Sequence, residues 1–141
     1  PKVILSGRST NNAMAPYVAE AISAELEAGS KILILGLTFK EDVPDLRNSK
    51  VGEIVRLLTE YGHTVQVHDP LADPAEAQQL YGIELVEGFG ADFDCVSGCV
   101  AHQEYDDFRF DGVLRDGGLI ADLKGIWRRT KNRDQYRYWS L

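Results

Sequence analysis

The first amphipathic pattern lies near the start of the chain. Apolar side chains recur every three or four positions across residues 11–28, which predicts a helix with one apolar stripe. Pro16 falls in its first turns, and Gly29 follows as a stop signal. We expect the neighbouring sequence to cover little of the stripe, so that the helix packs on a partner such as a second copy of the chain. The stripe comprises Met14, Tyr17, Val18, Ala21, Ile22 and Leu26.

Short apolar runs farther along predict strands, and two more periodic stretches predict helices. Ser49 is a plausible N-cap for the first of these helices, which Gly62 and His63 end, and Pro74 opens the second. The predicted strands are 31–35, 64–68, 94–100 and 119–123, with a further short one at 83–86, and the predicted helices are 49–61 and 74–81.

The alternation of these elements indicates the fold class. Strands separated by helices require crossover connections and form a parallel sheet. We therefore predict an α/β fold, a three-layer Rossmann-like parallel sheet with helices on both faces, preceded by one amphipathic helix. A boundary near Gly29 divides the chain into a helical segment, 1–29, and an α/β domain, 30–141.

Composition and charge narrow the classes of function. The 141 residues carry a net charge of −7, which argues against a surface that grips nucleic acid, yet residues 124–141 carry six basic and one acidic side chain. No apolar run of membrane-spanning length and no leader is present, so we expect a cytoplasmic protein without membrane contact. The basic stretch 128–133 is expected to be a solvated terminus, although Tyr136, Tyr138 and Trp139 indicate that the end of the chain packs on something. Because the chain begins with Pro1 and not with Met, we expect it to be part of a longer protein.

The two cysteines are read as buried thiols. Residues four apart on one strand lie about 13 Å apart, so Cys95 and Cys99 are too distant for a mutual disulfide. The three histidines, His63, His68 and His102, show no metal-ligand spacing. We expect His102 to be a strand-end cap or a solvent contact.

One loop carries chemistry that suits an anion. Residues 36–49 follow a strand and run into a helix amino terminus, and they include Lys40 and Arg47. This favours a phosphate site, although neither a G-x-G-x-x-G triple nor a P-loop is present. The alternative is a solvated turn in which Lys40 pairs with Glu41 or Asp42, and Arg47 with Asp45.

Two further positions remain open between structural and ligand roles. Asp69, followed by Pro70, is typical of a turn but is placed where it can approach a nucleotide. Trp127 either stacks on a base or packs in the core.

The sequence of the loop 36–49 and of the segments around it resembles a known family. KILILGLTFKEDVPDLRNSK, then a helix, then TVQVHDP, ADFDCVSGCVAHQEY and LIADLKGIW resemble the carboxyl-terminal domain of the UDP-glucose/GDP-mannose dehydrogenase family over residues 30–127. GLTFKE followed by PD-x-RN is most similar to the bacterial branch that oxidises UDP-N-acetylhexosamines for surface polysaccharides. The opening GRSTNNAMAPYVAEAI resembles the end of the family's central dimerisation helix.

The resemblance implies one part of a three-part NAD-dependent enzyme. Family members remove hydride twice from C6 of the sugar with the help of a catalytic Cys, and NAD binds mainly to an amino-terminal domain that this chain lacks. The chain is therefore expected to hold no catalytic residue, to be inactive alone, and to work with an amino-terminal half, a UDP-sugar substrate and a second copy in a homodimer. Neither Cys95 nor Cys99 stands in the catalytic context.

Four residues match the family's binding positions. Phe39 and Lys40 match a Phe-Lys pair that contacts the nucleotide-sugar, and Lys124 falls where relatives place a basic substrate contact. Arg47 matches an Arg that reaches the NAD side of the cleft. The alternatives are a stand-alone nucleotide-binding module without catalysis and a structural dimerisation unit built on the first helix.

Overall fold

The computed structural model describes residues 7–130 and 135–141, with side chains from residue 14 onward. Within those ranges a single-turn 3₁₀-helix, Gln103–Tyr105, accompanies the regular elements. The helices are α1 Gly7–Ala24, α2 Val51–Glu60 and α3 Pro74–Tyr81; the strands are β1 Lys31–Leu35, β2 Thr64–His68, β3 Phe93–Gly98, β4 Leu114–Asp122 and β5 Arg137–Ser140.

All five strands run parallel in the order β2-β1-β3-β4-β5. The predicted α/β class with a Rossmann-like parallel sheet is thereby confirmed. From β1 the chain turns to one side to form β2 and then crosses to the other side to form β3. The carboxyl ends of β1 and β3 therefore make the switch point at which ligands bind in open sheets of this kind.

The central strand β1 is buried on both faces, as its continuous apolar run predicts. Ile32 and Ile34 face one hydrophobic cluster, and Leu33 and Leu35 face another; all four are completely buried. The first cluster lies under α1 and α2. The second lies under Gln103–Tyr105 and aromatic loops, so a 3₁₀ turn stands on this face where an α-helix was expected.

Helix α1 differs from its prediction in both position and packing. It begins at Gly7 and ends at Ala24. The N–H groups of the next two residues donate to carbonyls three residues back, which is the 3₁₀ pattern that ends the α-helix. Val18, Ala19 and Ile22 are fully buried in the cluster that also holds residues of α2. The expectation that the chain cannot cover this stripe is therefore wrong. Tyr17, assigned to the stripe, is 61% exposed.

The other two helices follow their signals closely. Helix α3 has the predicted bounds, with the Asp73 side chain accepting the Glu76 N–H at 3.0 Å and Gly82 in the left-handed conformation after it. Helix α2 begins two residues later than predicted. The Ser49 hydroxyl still accepts the Val51 N–H (3.1 Å), but it donates to the Leu37 carbonyl (2.6 Å), which ties the helix start to the loop after β1.

The predicted strand ends shift where the chain leaves the sheet. The N–H groups of Cys99 and Val100 both donate to the Leu35 carbonyl, so β3 stops at Gly98. Residues 83–86 contribute one bridge, between Val67 and Leu85, and no strand.

The end of the chain forms β5, a strand the pattern did not predict, and its packing on β4 confirms that this end packs on the domain. Of the basic stretch, residues 131–133 lie outside the described part. No helix in the described ranges is long and apolar enough to cross a membrane.

Candidate functional site

The loops after β1, β3 and β4 enclose a cavity at the switch point. Its volume is about 100 Å³, smaller than the roughly 300–1,000 Å³ of sites that bury a whole drug-sized ligand. It therefore suits part of a ligand whose remainder is held elsewhere. Its lining includes Thr38, Phe39, Asn48, Cys99, Val100 and Lys124.

Two of the predicted site residues meet at this cavity. Phe39 lies on its rim with 53% of its surface exposed, and Lys124 lines it from the loop after β4, although the two are 85 positions apart in sequence. The ring offers apolar surface that a ligand at the cavity can cover. The cavity thus has both an apolar surface and a cation, which suits a ligand with an apolar part and an anionic group.

Lys40 and Arg47 lie outside the cavity lining. The exposed Lys40 forms no ion pair with Glu41 or Asp42 among the described residues. Arg47 forms the alternative pair, with 3.3 Å between its Nε and Asp45 Oδ1, and its side chain is 76% exposed beside a separate surface groove. The Arg47 backbone N–H, and then its guanidinium, lower the pKa of Asp45 below the usual value. The structure thus brings Phe39 and Lys124 together and sets Arg47 apart.

Asp69 anchors the loop that carries Phe39. Its Oδ2 accepts the N–H groups of Leu37 (2.6 Å) and Thr38 (3.0 Å), and its Oδ1 accepts that of Leu71 (2.9 Å). Burial acts to raise the pKa of Asp69, but hydrogen bonds from His102 and from these three N–H groups outweigh it, so the pKa lies below the usual value. The predicted turn role is confirmed, and the anchoring of a neighbouring loop is added to it.

His102 lies in the loop after β3 and belongs to the same buried cluster. Its Nε2 lies 3.0 Å from Asp69 Oδ2 and 3.1 Å from Thr38 Oγ1, and its Nδ1 accepts the Asp42 N–H at 2.9 Å. The side chain is completely buried, so the solvent-contact alternative is wrong. The ring also caps no strand end, because it joins the loop after β1 to the Asp69 carboxylate.

Asp122 holds the loop that carries Lys124. It is fully buried at the end of β4, where its carboxylate accepts the N–H groups of Ile126 and Trp127, both at 2.8 Å, and the Tyr138 hydroxyl at 2.7 Å. Sequence reasoning missed this residue. The signal that could have found it is its position: Asp122 stands at the end of a predicted strand, two residues before Lys124 and three before Gly125.

Trp127 and the cysteines have structural roles. The Trp127 ring is completely buried and its Nε1 donates to the Tyr105 carbonyl at 2.9 Å. Of the two predicted roles, core packing is therefore correct and stacking on a base is not. Cys95 and Cys99 are free buried thiols, as expected. Burial raises the pKa of Cys99 to about 11, so this part of the cavity wall is uncharged at neutral pH. Among the described residues, no group of three or more His, Cys, Asp and Glu side chains is arranged to hold a metal ion.

Comparison with known sequences supports the family resemblance. A model of the UDP-glucose/GDP-mannose dehydrogenase family, UDP binding domain, matches residues 33–129. Protein CapL of Staphylococcus aureus is 38% identical over the whole chain, which spans 35% of that relative. UDP-N-acetyl-D-glucosamine 6-dehydrogenase of Pseudomonas aeruginosa is 39% identical over 94% of the chain, which spans 34% of that relative. The chain thus covers about a third of the curated relatives that it matches.

Solved structures give the same assignment. The UDP-N-acetyl-mannosamine dehydrogenase Cap5O from Staphylococcus aureus matches 95% of the chain with a TM-score of 0.74 and 26% identity, over 32% of its own length. A UDP-glucose dehydrogenase from the archaeon Pyrobaculum islandicum matches 92% with a TM-score of 0.69 and 26% identity, over 29% of its own length. With its parallel sheet, its switch-point cavity and a family match over most of its length, this chain belongs to the UDP-glucose/GDP-mannose dehydrogenase family, of which it is the UDP binding domain.

Proposed function

We propose that this chain is the carboxyl-terminal part of an NAD-dependent dehydrogenase that oxidises C6 of a UDP-N-acetylhexosamine to the uronic acid, for surface polysaccharide synthesis. In this proposal, the chain binds the UDP portion of the substrate. The observation that carries it is the meeting of Phe39 and Lys124 at the switch-point cavity in a chain of this family. The relative named UDP-N-acetyl-D-glucosamine 6-dehydrogenase, at 39% identity, supports the choice of sugar class.

Each binding residue has a distinct role in the proposal. The Lys124 ammonium neutralises charge on the diphosphate, as a point charge without the two-pronged geometry of Arg. The Phe39 ring covers the ligand and excludes water from the charge pair, which strengthens the attraction. Lys40 adds a second cation on the outer side of the same loop, where no described acidic side chain neutralises it.

Arg47 fits a contact to the cofactor. Its side chain is largely exposed and pairs with Asp45 through Nε, so the two terminal nitrogens of the guanidinium suit a phosphate. NAD, when bound, accepts the hydride removed from the sugar. Because the turn after β1 lacks the glycine triple of a dinucleotide site, the main NAD site belongs to the amino-terminal domain expected outside this chain. The proposal therefore includes an amino-terminal half, a homodimer and a cytoplasmic enzyme.

Ligand titration of the 141-residue chain tests the binding role. We expect calorimetry to detect UDP and UDP-N-acetylglucosamine in preference to GDP and NAD, and Lys124→Ala to weaken UDP binding about tenfold, since a charged hydrogen bond is lost. Arg56→Ala is the matched control. It removes one positive charge from the exposed face of α2, where Arg56 pairs with Glu53 and Glu60, and should leave UDP affinity unchanged. Equal UDP binding by the wild type and Lys124→Ala would contradict the assigned role of Lys124.

Activity measurements separate the enzyme from a stand-alone binding module. NADH formation from UDP-N-acetylglucosamine or UDP-N-acetylgalactosamine is expected only when an amino-terminal dehydrogenase half is present. Robust turnover by this chain alone would overturn the assignment of the catalytic groups to the other half. Tight UDP binding with no activity after the two halves are combined would favour the binding module.

A further inference from the structure

Two buried histidines with nearly identical hydrogen bonding lie at opposite edges of the sheet. In each, Nδ1 accepts a backbone N–H and Nε2 lies beside a hydroxyl group. For His63, at the amino-terminal edge, the partners are the Ser30 N–H (3.1 Å) and Ser23 Oγ (2.9 Å). For His102, at the ligand edge, they are the Asp42 N–H (2.9 Å) and Thr38 Oγ1 (3.1 Å). Only His102 also meets a buried carboxylate, that of Asp69.

These contacts indicate the tautomer of His102. Because Nδ1 accepts the Asp42 N–H, it carries no proton, and the ring proton of the neutral imidazole is on Nε2. That proton faces Asp69 Oδ2 at 3.0 Å, so the carboxylate accepts from the ring as well as from two backbone N–H groups. One imidazole thus joins the end of β2 to the loop after β1, with each nitrogen in a fixed role.

The loop segment between these contacts contains Phe39 and Lys40. Leu37 and Thr38 donate to Asp69 on one side, and Asp42 donates to His102 on the other. The Thr38 hydroxyl also donates to the Lys40 carbonyl at 3.0 Å. The backbone is therefore fixed on both sides of the two proposed ligand contacts.

The far end of the segment is unusual in its backbone. Asp42 has a φ of 60°, a conformation that side chains other than glycine rarely adopt. Its Oδ1 accepts the Gln103 N–H at 3.0 Å, so both its backbone and its side chain are held by residues 102 and 103. The turn that contains His102 thus holds Asp42 in this left-handed conformation.

We propose that His102 is a positioning residue of the UDP site: through Asp69 and Asp42 it holds residues 37–42 in the shape that presents Phe39 and Lys40 to the ligand. It is buried and acts through the loop rather than on the substrate. The inference rests on the proposed function, since it assumes that this loop binds UDP.

Two substitutions of His102 separate its two hydrogen bonds. His102→Asn places an amide oxygen near the position of Nδ1 and retains an acceptor for the Asp42 N–H. His102→Gln places its amide near the position of Nε2 and retains a donor to Asp69 but not the acceptor for Asp42. The matched controls are His63→Asn and His63→Gln, which make the same changes at the opposite edge.

Amide hydrogen exchange and UDP affinity, measured on the 141-residue chain, give the readout. His102→Gln should speed exchange at the Asp42 amide and weaken UDP binding about tenfold, because the loop is no longer held at its far end. His102→Asn should leave the Asp42 amide protected and weaken UDP binding less. His63→Gln should speed exchange at the Ser30 amide and lower the melting temperature, yet leave both the Asp42 amide and UDP affinity as in the wild type.

The outcomes distinguish the inference from the function on which it rests. If the wild type binds UDP but His102→Gln binds it within about twofold of the wild type, the positioning role is wrong. The same holds if the His63 variants weaken UDP binding as much as the His102 variants, since general destabilisation then explains both. If the wild type binds no UDP, the proposed function itself fails.

If the His102 variants do not fold, amide exchange of the wild-type chain carries the test. The Asp42 amide, which donates to His102, and the Leu37 and Thr38 amides, which donate to Asp69, should be protected before UDP is added and gain little protection from it. An Asp42 amide that exchanges freely until UDP is added overturns the inference, because the loop is then not held by His102 in advance.

Discussion

At the scale of single residues, buried aspartates at strand ends prepare the candidate site. Asp69 begins the turn after β2 and Asp122 ends β4, and each accepts backbone N–H groups of a loop that carries a proposed ligand contact. The N–H groups satisfy the hydrogen-bonding capacity of each buried carboxylate, and neither carboxylate contributes to the cavity wall. Lys124 and Phe39 are thus held in place before a ligand arrives.

Gly36 is the first residue of the loop after β1, and both its conformation and its surroundings favour glycine. It has a φ of +102°, and a Cβ there would lie 2.5 Å from the Val100 Cβ. Gly36→Ala is expected to lower the free energy of unfolding by about 1–2 kcal/mol for the backbone conformation and about 1–3 kcal/mol more for the collision. Urea unfolding measures the change.

Gly62→Ala is the control for this prediction. Gly62 has a φ of +100° but open space around the position of a Cβ, so its substitution should show the backbone cost alone. Equal losses at the two glycines would mean that the contact with Val100 is relieved by a small movement of the chain.

At the scale of elements, the contribution of α1 is to the core of its own chain. Its buried face joins residues of α2 in one hydrophobic cluster, and His63, which precedes β2, bonds both Ser23 at the end of α1 and Ser30 in the loop after it. The resemblance of this segment to a dimerisation helix therefore concerns its exposed face. The homodimer remains a prediction, and its test requires substitutions on that face.

Paired substitutions on α1 distinguish folding from association. Ile22→Asp places a charge in a fully buried site without a partner and should lower the free energy of unfolding by about 3 kcal/mol or more. Tyr17→Asp, at a position that is 61% exposed, should change it by no more than about 0.5 kcal/mol. Thermal melts followed by circular dichroism check both values.

Sedimentation of the Tyr17→Asp variant then tests the predicted dimer without unfolding the chain. A dimer that dissociates places the interface on the exposed face of α1. A monomeric wild type at high concentration would remove the predicted homodimer for this chain.

At the scale of the whole molecule, the sequence combines an acidic body with a basic carboxyl end. Residues 124–141 carry five net positive charges, in a chain whose total is −7, and Lys124 is a basic residue of this stretch that lines the cavity. Lys124 therefore offers an anion a local attraction in a chain that is acidic as a whole. The small cavity and the share of each relative that the chain spans both fit a site completed by another domain.

Stability of the whole domain should fall as the pH drops below neutrality. Burial lowers the pKa values of His63 and His68 below the ordinary 6.5. The unfolded chain then binds more protons than the folded one, so the stabilisation is complete above pH 6.5 and is lost as the pH falls toward the folded-state pKa values. We expect a lower free energy of unfolding at pH 5 than at pH 7.5, measured with urea.

Controls identify the source of this dependence. His63→Gln should reduce the slope between these pH values, because it removes one of the two titrating groups. The carboxylates with lowered pKa values, such as Asp69 and Asp94, act below this range, since their usual value is 3.8. Stability that is constant or rises from pH 7.5 to pH 5 would contradict the prediction.

In the candidate site, local sequence patterns indicated some of the residues that lie together but not how all of them are arranged. The strand-then-loop order predicted a site at the carboxyl edge of the sheet, and the family resemblance pointed to Phe39 and Lys124, which both line the cavity there. The same reasoning grouped Arg47 with Lys40 because they share a loop, whereas the fold turns Arg47 toward Asp45 and a separate groove. The role proposed for His102 could not be predicted from local sequence, because its partners Asp69 and Asp42 lie 33 and 60 positions away.

The sequence by itself determined the elements of this protein: periodicity and turn residues are local, and they set the identity of β1, β2 and the bounds of α3. Only the tertiary structure decided which elements meet. Strand order, the cover of α1 by α2, the pairing of β5 with β4 and the buried bonds of Asp122 all depend on residues far apart in the chain. Such contacts form when burial and hydrogen bonding offset the entropy of closing long loops, and no short stretch of sequence records that balance.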